Sequence, residues 1–152
     1  MIANHKGFSL VELILIVMFL GIFAAIAVPR LNLAIIGEQK SSTYARRISA
    51  DLRYARQLAL SNASDNTVGY GLFMIGSEPY EEYEIRDLSD SSLLHTYTLD
   101  EDTDCEGGRT FRFGPLGNLL TGSDTELSIS SGDRSFTITI IPATGIIQCT
   151  EN

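Results

Sequence analysis

The sequence predicts an α+β fold: a long N-terminal α-helix, made of an apolar stem and an amphipathic half, packed on a β-rich antiparallel globular head. Three observations predict it. The window from Phe8 to Val28 holds one charge, Glu12, in 21 positions. From Tyr44 to Ala59 apolar residues recur at helical spacing, and beyond Asn62 the period shortens to that of strands. The expected divisions are residues 8–28 for the stem, 29–62 for the amphipathic continuation and 63–152 for the head.

The chain has 152 residues, about one domain by length, which excludes a multidomain enzyme. Its net charge of −8 is unevenly distributed. The first 60 residues carry seven Lys or Arg against three acids, and the rest carry four against sixteen, for sums of +4 and −12. A nucleic-acid surface needs concentrated positive charge on the folded part, so the C-terminal portion is disfavoured as one.

Taken in order, the stem comes first. From Phe8 to Val28 a helix would rise about 30 Å, enough to cross a bilayer. His5, Lys6 and the amino terminus precede it without an acid, which favours a cytoplasmic N-terminus and an outward head. Two plainer readings compete. A removable signal peptide is offered a cleavage site by Ala25-Ile26-Ala27, and a simple anchor needs only apolar residues. Glu12 argues against both, because a carboxylate inside an apolar segment costs about 3 kcal/mol on insertion scales. An amine created by cutting ahead of Phe8 would neutralise it, four residues away or on a neighbouring subunit.

Lys6-Gly7-Phe8-Ser9-Leu10-Val11-Glu12, followed by an apolar run and Pro29, resembles the processing signature of type IV prepilins and type II secretion pseudopilins. The resemblance implies that residues 1–7 are a leader and that prepilin peptidase cuts between Gly7 and Phe8. It further implies N-methylation of the new Phe8 amine and a role for Glu12 as the assembly charge.

Pro29 interrupts helical hydrogen bonding, and Asn32 and Gly37 add weakness. Tyr44, Ile48, Leu52, Ala55 and Ala59 then follow at spacings of four, four, three and four, with Arg46, Arg47, Arg53 and Gln57 elsewhere, so a helix is expected from about Ser41 or earlier to Ser61 or Asn62. Its arginines fit a solvated face with Asp51 as local partner, or a contact with acidic surfaces of neighbouring subunits.

Strands are expected at residues 67–75, 83–86, 94–99, 109–113, 127–130, 134–141 and 146–149. Alternation in the sixth puts Phe136, Ile138 and Ile140 on one face and Thr137 and Thr139 on the other. Glu106-Gly107-Gly108, Phe113-Gly114-Pro115-Leu116-Gly117-Asn118, Ser131-Gly132-Asp133 and Ala143-Thr144-Gly145 read as turns. The run Asp51 to Leu60, the later strands and the Phe113 to Gly117 turn are similar to the GspH/FimT group of minor pseudopilins and minor pilins. Members pack a long helix on a β-rich head and contribute low-abundance subunits to a filament.

Enzyme chemistry finds few parts. His5 and His95 are the only histidines, no nucleophile–base pair is signalled, and Gly69-Tyr70-Gly71 is too short for a phosphate loop. Asp100, Asp102 and Asp104 alternate as calcium ligands do, yet Cys105 and Phe111 stand where an EF-hand needs Gly and Glu. Cys105 and Cys149 are the only thiols; an exported domain favours a disulfide between them, against two unrelated buried thiols.

The expected function is therefore a non-enzymatic minor pseudopilin for assembly or tip of the type II secretion pseudopilus, without cofactor or metal. The alternative is a minor type IV pilin in pilus biogenesis or DNA uptake. Expected partners are other pilin or pseudopilin subunits through the N-terminal helix, prepilin peptidase and the inner membrane. The expected location is the bacterial inner membrane, single-pass, with a periplasmic head, before assembly into the filament.

Overall fold

A computed structural model describes the backbone of residues 9–27 and 33–152 and the side chains of residues 9–24 and 40–152. It contains helices α1 (Leu10–Ala27) and α2 (Leu33–Ser61). Strands follow as β1 (Tyr70–Ile75), β2 (Glu82–Asp87), β3 (Leu93–Thr98), β4 (Asp104–Gly107), β5 (Thr110–Phe113), β6 (Glu126–Ser131), β7 (Arg134–Ile141) and β8 (Ile146–Glu151). The chain divides into two units, Met1–Leu33 and Ala34–Asn152.

This corrects the expected fold class. The described helices are two separate elements falling largely in different units, so a single long helix, apolar in its first half and packed on a head, is not formed among the described residues. The physical reason lies at Pro29: it disfavours helix at the residue before it and cannot donate a helical hydrogen bond, and α1 ends two residues earlier, at Ala27. Nor is any described helix long and apolar enough to cross a membrane. The 18 residues of α1 rise about 27 Å, short of a hydrocarbon core about 30 Å thick. The expectations of a transmembrane helix and of a single-pass inner-membrane protein with a periplasmic head are overturned on that finding.

In the second unit, two antiparallel four-stranded sheets, ordered β3-β2-β1-β5 and β4-β6-β7-β8, turn their inner faces to α2. Ala45, Ile48, Leu52, Ala55 and Ala59 of α2 are all fully buried. Alanine at three of these five positions lets the helix approach the sheets closely. Against them pack Leu72, Met74, Tyr83 and Ile85 of the first sheet and Leu127, Ile129, Ile138 and Ile140 of the second. Cross-strand partners share a face, so the registers Leu72↔Ile85, Leu72↔Phe111 and Leu127↔Ile138 assemble the core in continuous rows.

The chain changes sheets between β4 and β5 at Gly107-Gly108. Gly107 has φ 103°, and a Cβ on Gly108 would run into the carbonyl of Glu126, which accepts the Gly108 amide at 2.8 Å. Only glycine turns this corner without strain.

The outer edges of β4 and β5 are covered. Tyr80 donates its amide to Cys105 O (2.8 Å) and its hydroxyl to Gly107 O (3.2 Å), while Glu78 accepts the Gly107 amide (3.1 Å). Along β5, Asp124 accepts the amides of Arg109 and Thr110 through Oδ2, both at 2.8 Å, and Leu120 donates to Arg112 O. Among the described residues, no segment of this kind lies along β3 or β8.

Candidate functional site

α1 is apolar on every side. From Leu10 to Phe23 its large hydrophobic residues are exposed, between 46% at Ile16 and 74% at Leu10. A helix hydrophobic all round is a helix meant to be covered. Glu12 lies exposed in the first turn, where the positive end of the helix dipole favours an acid. Gly7 and Phe8, the expected cleavage and methylation positions, lie outside the described residues.

The arginines of α2 divide into groups that sequence spacing does not separate. Arg53 donates to Ile147 O (3.2 Å), and Arg56 donates to Gly117 O (2.9 Å) and Thr144 O (3.2 Å), fastening the helix to the β7–β8 side. Arg47 lies 4.1 Å from the ring centroid of Tyr97, which neighbours Tyr83 at 5.3 Å and His95 at 6.1 Å; His95 in turn lies 6.0 Å from Tyr54. Asp51, expected to serve an arginine, accepts a 2.6 Å hydrogen bond from the Tyr83 hydroxyl. Burial of that phenol, then the adjoining carboxylate, drives its pKa upward. Arg46 and Ala50 are exposed on the side of the helix opposite the core, whereas the Arg53 side chain turns back to Ile147 O.

The acidic run beside β4 is shared between two settings. Asp102 and Asp100 hold the ammonium of Lys40 at 3.0 and 3.3 Å, and these contacts raise the lysine pKa. Asp104 and Glu106 instead alternate with buried Cys105 and so project from the outer face of the second sheet. Exposed Asp124 and Glu126, with Gly107, Gly108, Thr125 and Ser128, line a shallow depression of about 270 Å³. In the sequence these glycines read only as a turn, with acids dense on either side.

The expected Cys105–Cys149 disulfide is not formed. Both thiols are free, Cys105 buried on β4 and Cys149 exposed on β8. These are the two edge strands of one sheet, with β6 and β7 between them. Three interstrand spacings amount to about 14 Å, twice what a disulfide spans. Burial, followed by the nearby Glu106 and Glu78 charges, pushes the Cys105 thiol up to about 12.

No protein-family model, no curated protein and no solved structure matches this chain. With no relative among them and no membrane-crossing helix among the described residues, the expected secretion and pilin role rests on the sequence motifs alone.

Proposed function

We propose that the protein is a structural, non-enzymatic filament subunit of the minor pseudopilin kind, assembling with other subunits through α1. The observation that carries the reading is the all-round apolar exposure of α1, interrupted only by Glu12 near its start. Packed side by side with like helices, this surface would leave water, each fully covered large side chain contributing about 1.5–3 kcal/mol. The carboxylate would then need a positive partner at the same level, because removing one member of a buried pair costs about 3–5 kcal/mol. The Phe8 amine left by cleavage after Gly7 supplies such a partner.

The test is co-expression with a prepilin peptidase, followed by mass spectrometry of the product and isolation of filaments. The reading expects a chain beginning at Phe8 that enters filaments, and a Glu12→Val variant that is cut normally but enters them at least about tenfold less, matching the loss of about 1.4 kcal/mol or more. A product that keeps residues 1–7, or normal incorporation of Glu12→Val, overturns it.

A further inference from the structure

The two edge strands without a covering segment are matched in chemistry. β3 contains no Lys, Arg, Asp, Glu or Pro, and β8 contains only Glu151, at its end. Exposed edges are normally blunted by charged residues, Pro, bulges or a cover, and the one irregularity beside β3 falls at Ile85/Arg86, level with its first residues. The phase of hydrogen bonding shows which backbone groups face outward. Leu99 donates to Glu81 O at 2.7 Å, which continues the β2–β3 register and makes Tyr83–Tyr97 and Ile85–His95 hydrogen-bonded pairs. Thr96 and Thr98 therefore turn their N–H and C=O groups away from β2. On β8, Asn152 donates to Ser135 O at 3.0 Å, so Gln148 and Thr150 bond to β7 while Ile147, Cys149 and Glu151 turn outward. Arg53 reaches Ile147 O. Among the described residues, the outward backbone groups of Thr96, Thr98, Cys149 and Glu151 meet no partner.

We propose that β3 of one copy of this chain pairs antiparallel with β8 of a second copy, in the register Thr96↔Glu151 and Thr98↔Cys149. Each of these pairs exchanges two backbone hydrogen bonds, and strand addition of this kind draws its affinity from the main chain. The register follows from the outward groups, because setting Thr98 against Ile147 instead would bring the strand onto the carbonyl that Arg53 already meets. In one copy β3 and β8 are edges of different sheets, so the partner strand comes from another copy. Joining like strands covers one border and leaves the other bare, and a β8–β8 seam brings the Glu151 carboxylates of both copies together. The unlike pair covers both borders of every copy with one contact. That contact is heterologous and runs on from copy to copy instead of closing on a twofold pair. A single short seam is weak, but copies gathered by their α1 helices meet at raised effective concentration. The contact deepens the filament-subunit reading, on which its biological setting rests, by joining one folded head to the next.

Cys149 is itself the reporter. Hydrogen-bonded antiparallel partners have Cα atoms about 5.5 Å apart, within the span of a disulfide, so Thr98→Cys sets a thiol opposite Cys149 of the neighbouring copy. The full chain, at millimolar concentration in a mild nonionic detergent that covers α1, is oxidised with diamide. Nonreducing electrophoresis and mass spectrometry of the linked peptides read the product. A series of oligomers joined through positions 98 and 149 is expected, forming at least about tenfold faster than with Thr121→Cys, an exposed position in the segment that covers β5. Thr96→Pro, added to Thr98→Cys, removes an outward amide and spares the bonds to β2, and should slow the series at least about tenfold. Circular dichroism melts within a few degrees of the parent establish that the variants are folded. A rate no faster than that of Thr121→Cys, a series indifferent to Thr96→Pro, or bonds between like positions in place of the mixed one overturns the proposal. Filament entry that is normal in Thr96→Pro would sink this contact while leaving the α1 reading standing. Mixed cross-links in a chain that peptidase leaves uncut would do the reverse.

Discussion

Cys105 and Cys149 are the same residue type in two different surroundings. Cys149 is exposed and should be alkylated by iodoacetamide within minutes, whereas Cys105 should react only after unfolding; mass spectrometry of a timed quench reads one adduct first and two in denaturant. The buried thiol also imposes a pH dependence. In the unfolded chain it titrates near 9.0, and in the folded protein it holds its proton to about 12. Between these values the folded state binds more protons, so this stabilising contribution is fully present below pH 9.0 and is lost as pH rises toward about 12. Urea melts should show a steeper loss of stability across that window in the parent than in Cys105→Ala, after allowing for the lower starting stability of the variant. An even cysteine count carries no distance, which is why sequence alone favoured a bond that the strand order forbids. The arginines are similar. Their exposure was legible from spacing, but Arg53 and Arg56 reach backbone carbonyls that lie far along the chain, at Ile147, Gly117 and Thr144.

At the scale of elements, α2 and β7 were the most legible because each displays its own period. Ile48, Leu52, Ala55 and Ala59 are the buried stripe that spacing indicated, with Ala45 joining them while Tyr44 stays partly exposed. Ile138 and Ile140 are buried, and their neighbour Phe136 is half-buried near the strand's start. What periodicity could not show is where one helix stops and another begins, since Leu33 to Gly37 is as apolar as a continuing stem. The expected consequence of the α2 stripe is direct. Leu52→Ala removes a fully buried side chain wedged between the helix and the sheets, and should cost about 2–5 kcal/mol in a chemical denaturation series. Gly108→Ala should destabilise as well, because the corner backbone must move away from the Glu126 carbonyl. The same substitution at Gly76, where nothing lies within 4 Å, adds no clash and serves as the comparison, although its φ of 95° still carries backbone strain.

Across the whole molecule, charge was the best-read property and pairing the worst. The division into a basic N-terminal part and an acidic remainder is visible in the sequence, yet only the tertiary arrangement ties Arg47 to the Tyr97 ring and Arg53 and Arg56 to backbone carbonyls of strands and turns. Strand alternation sends Glu106 outward and Cys105 inward, and helix geometry sends Arg46 away from the core. The apolar character of α1 was equally plain, whereas a bilayer-crossing role required a length that the described helix lacks.

Two of the four sheet borders are sealed by Tyr80 and by the segment holding Leu120 and Asp124; among the described residues β3 and β8 carry no such segment, and β8 meets the Arg53 guanidinium at Ile147 O. Deuterium should therefore enter the molecule unevenly. Outward-pointing amides of β3 and β8 are expected to exchange orders of magnitude sooner than those of β1 and β6, read residue by residue in heteronuclear NMR. Bare strands are also templates for adventitious β-pairing. On prolonged warming, precipitation should begin with Leu93 to Thr98 and Ile146 to Glu151, and a proline placed in the middle of either segment should delay it.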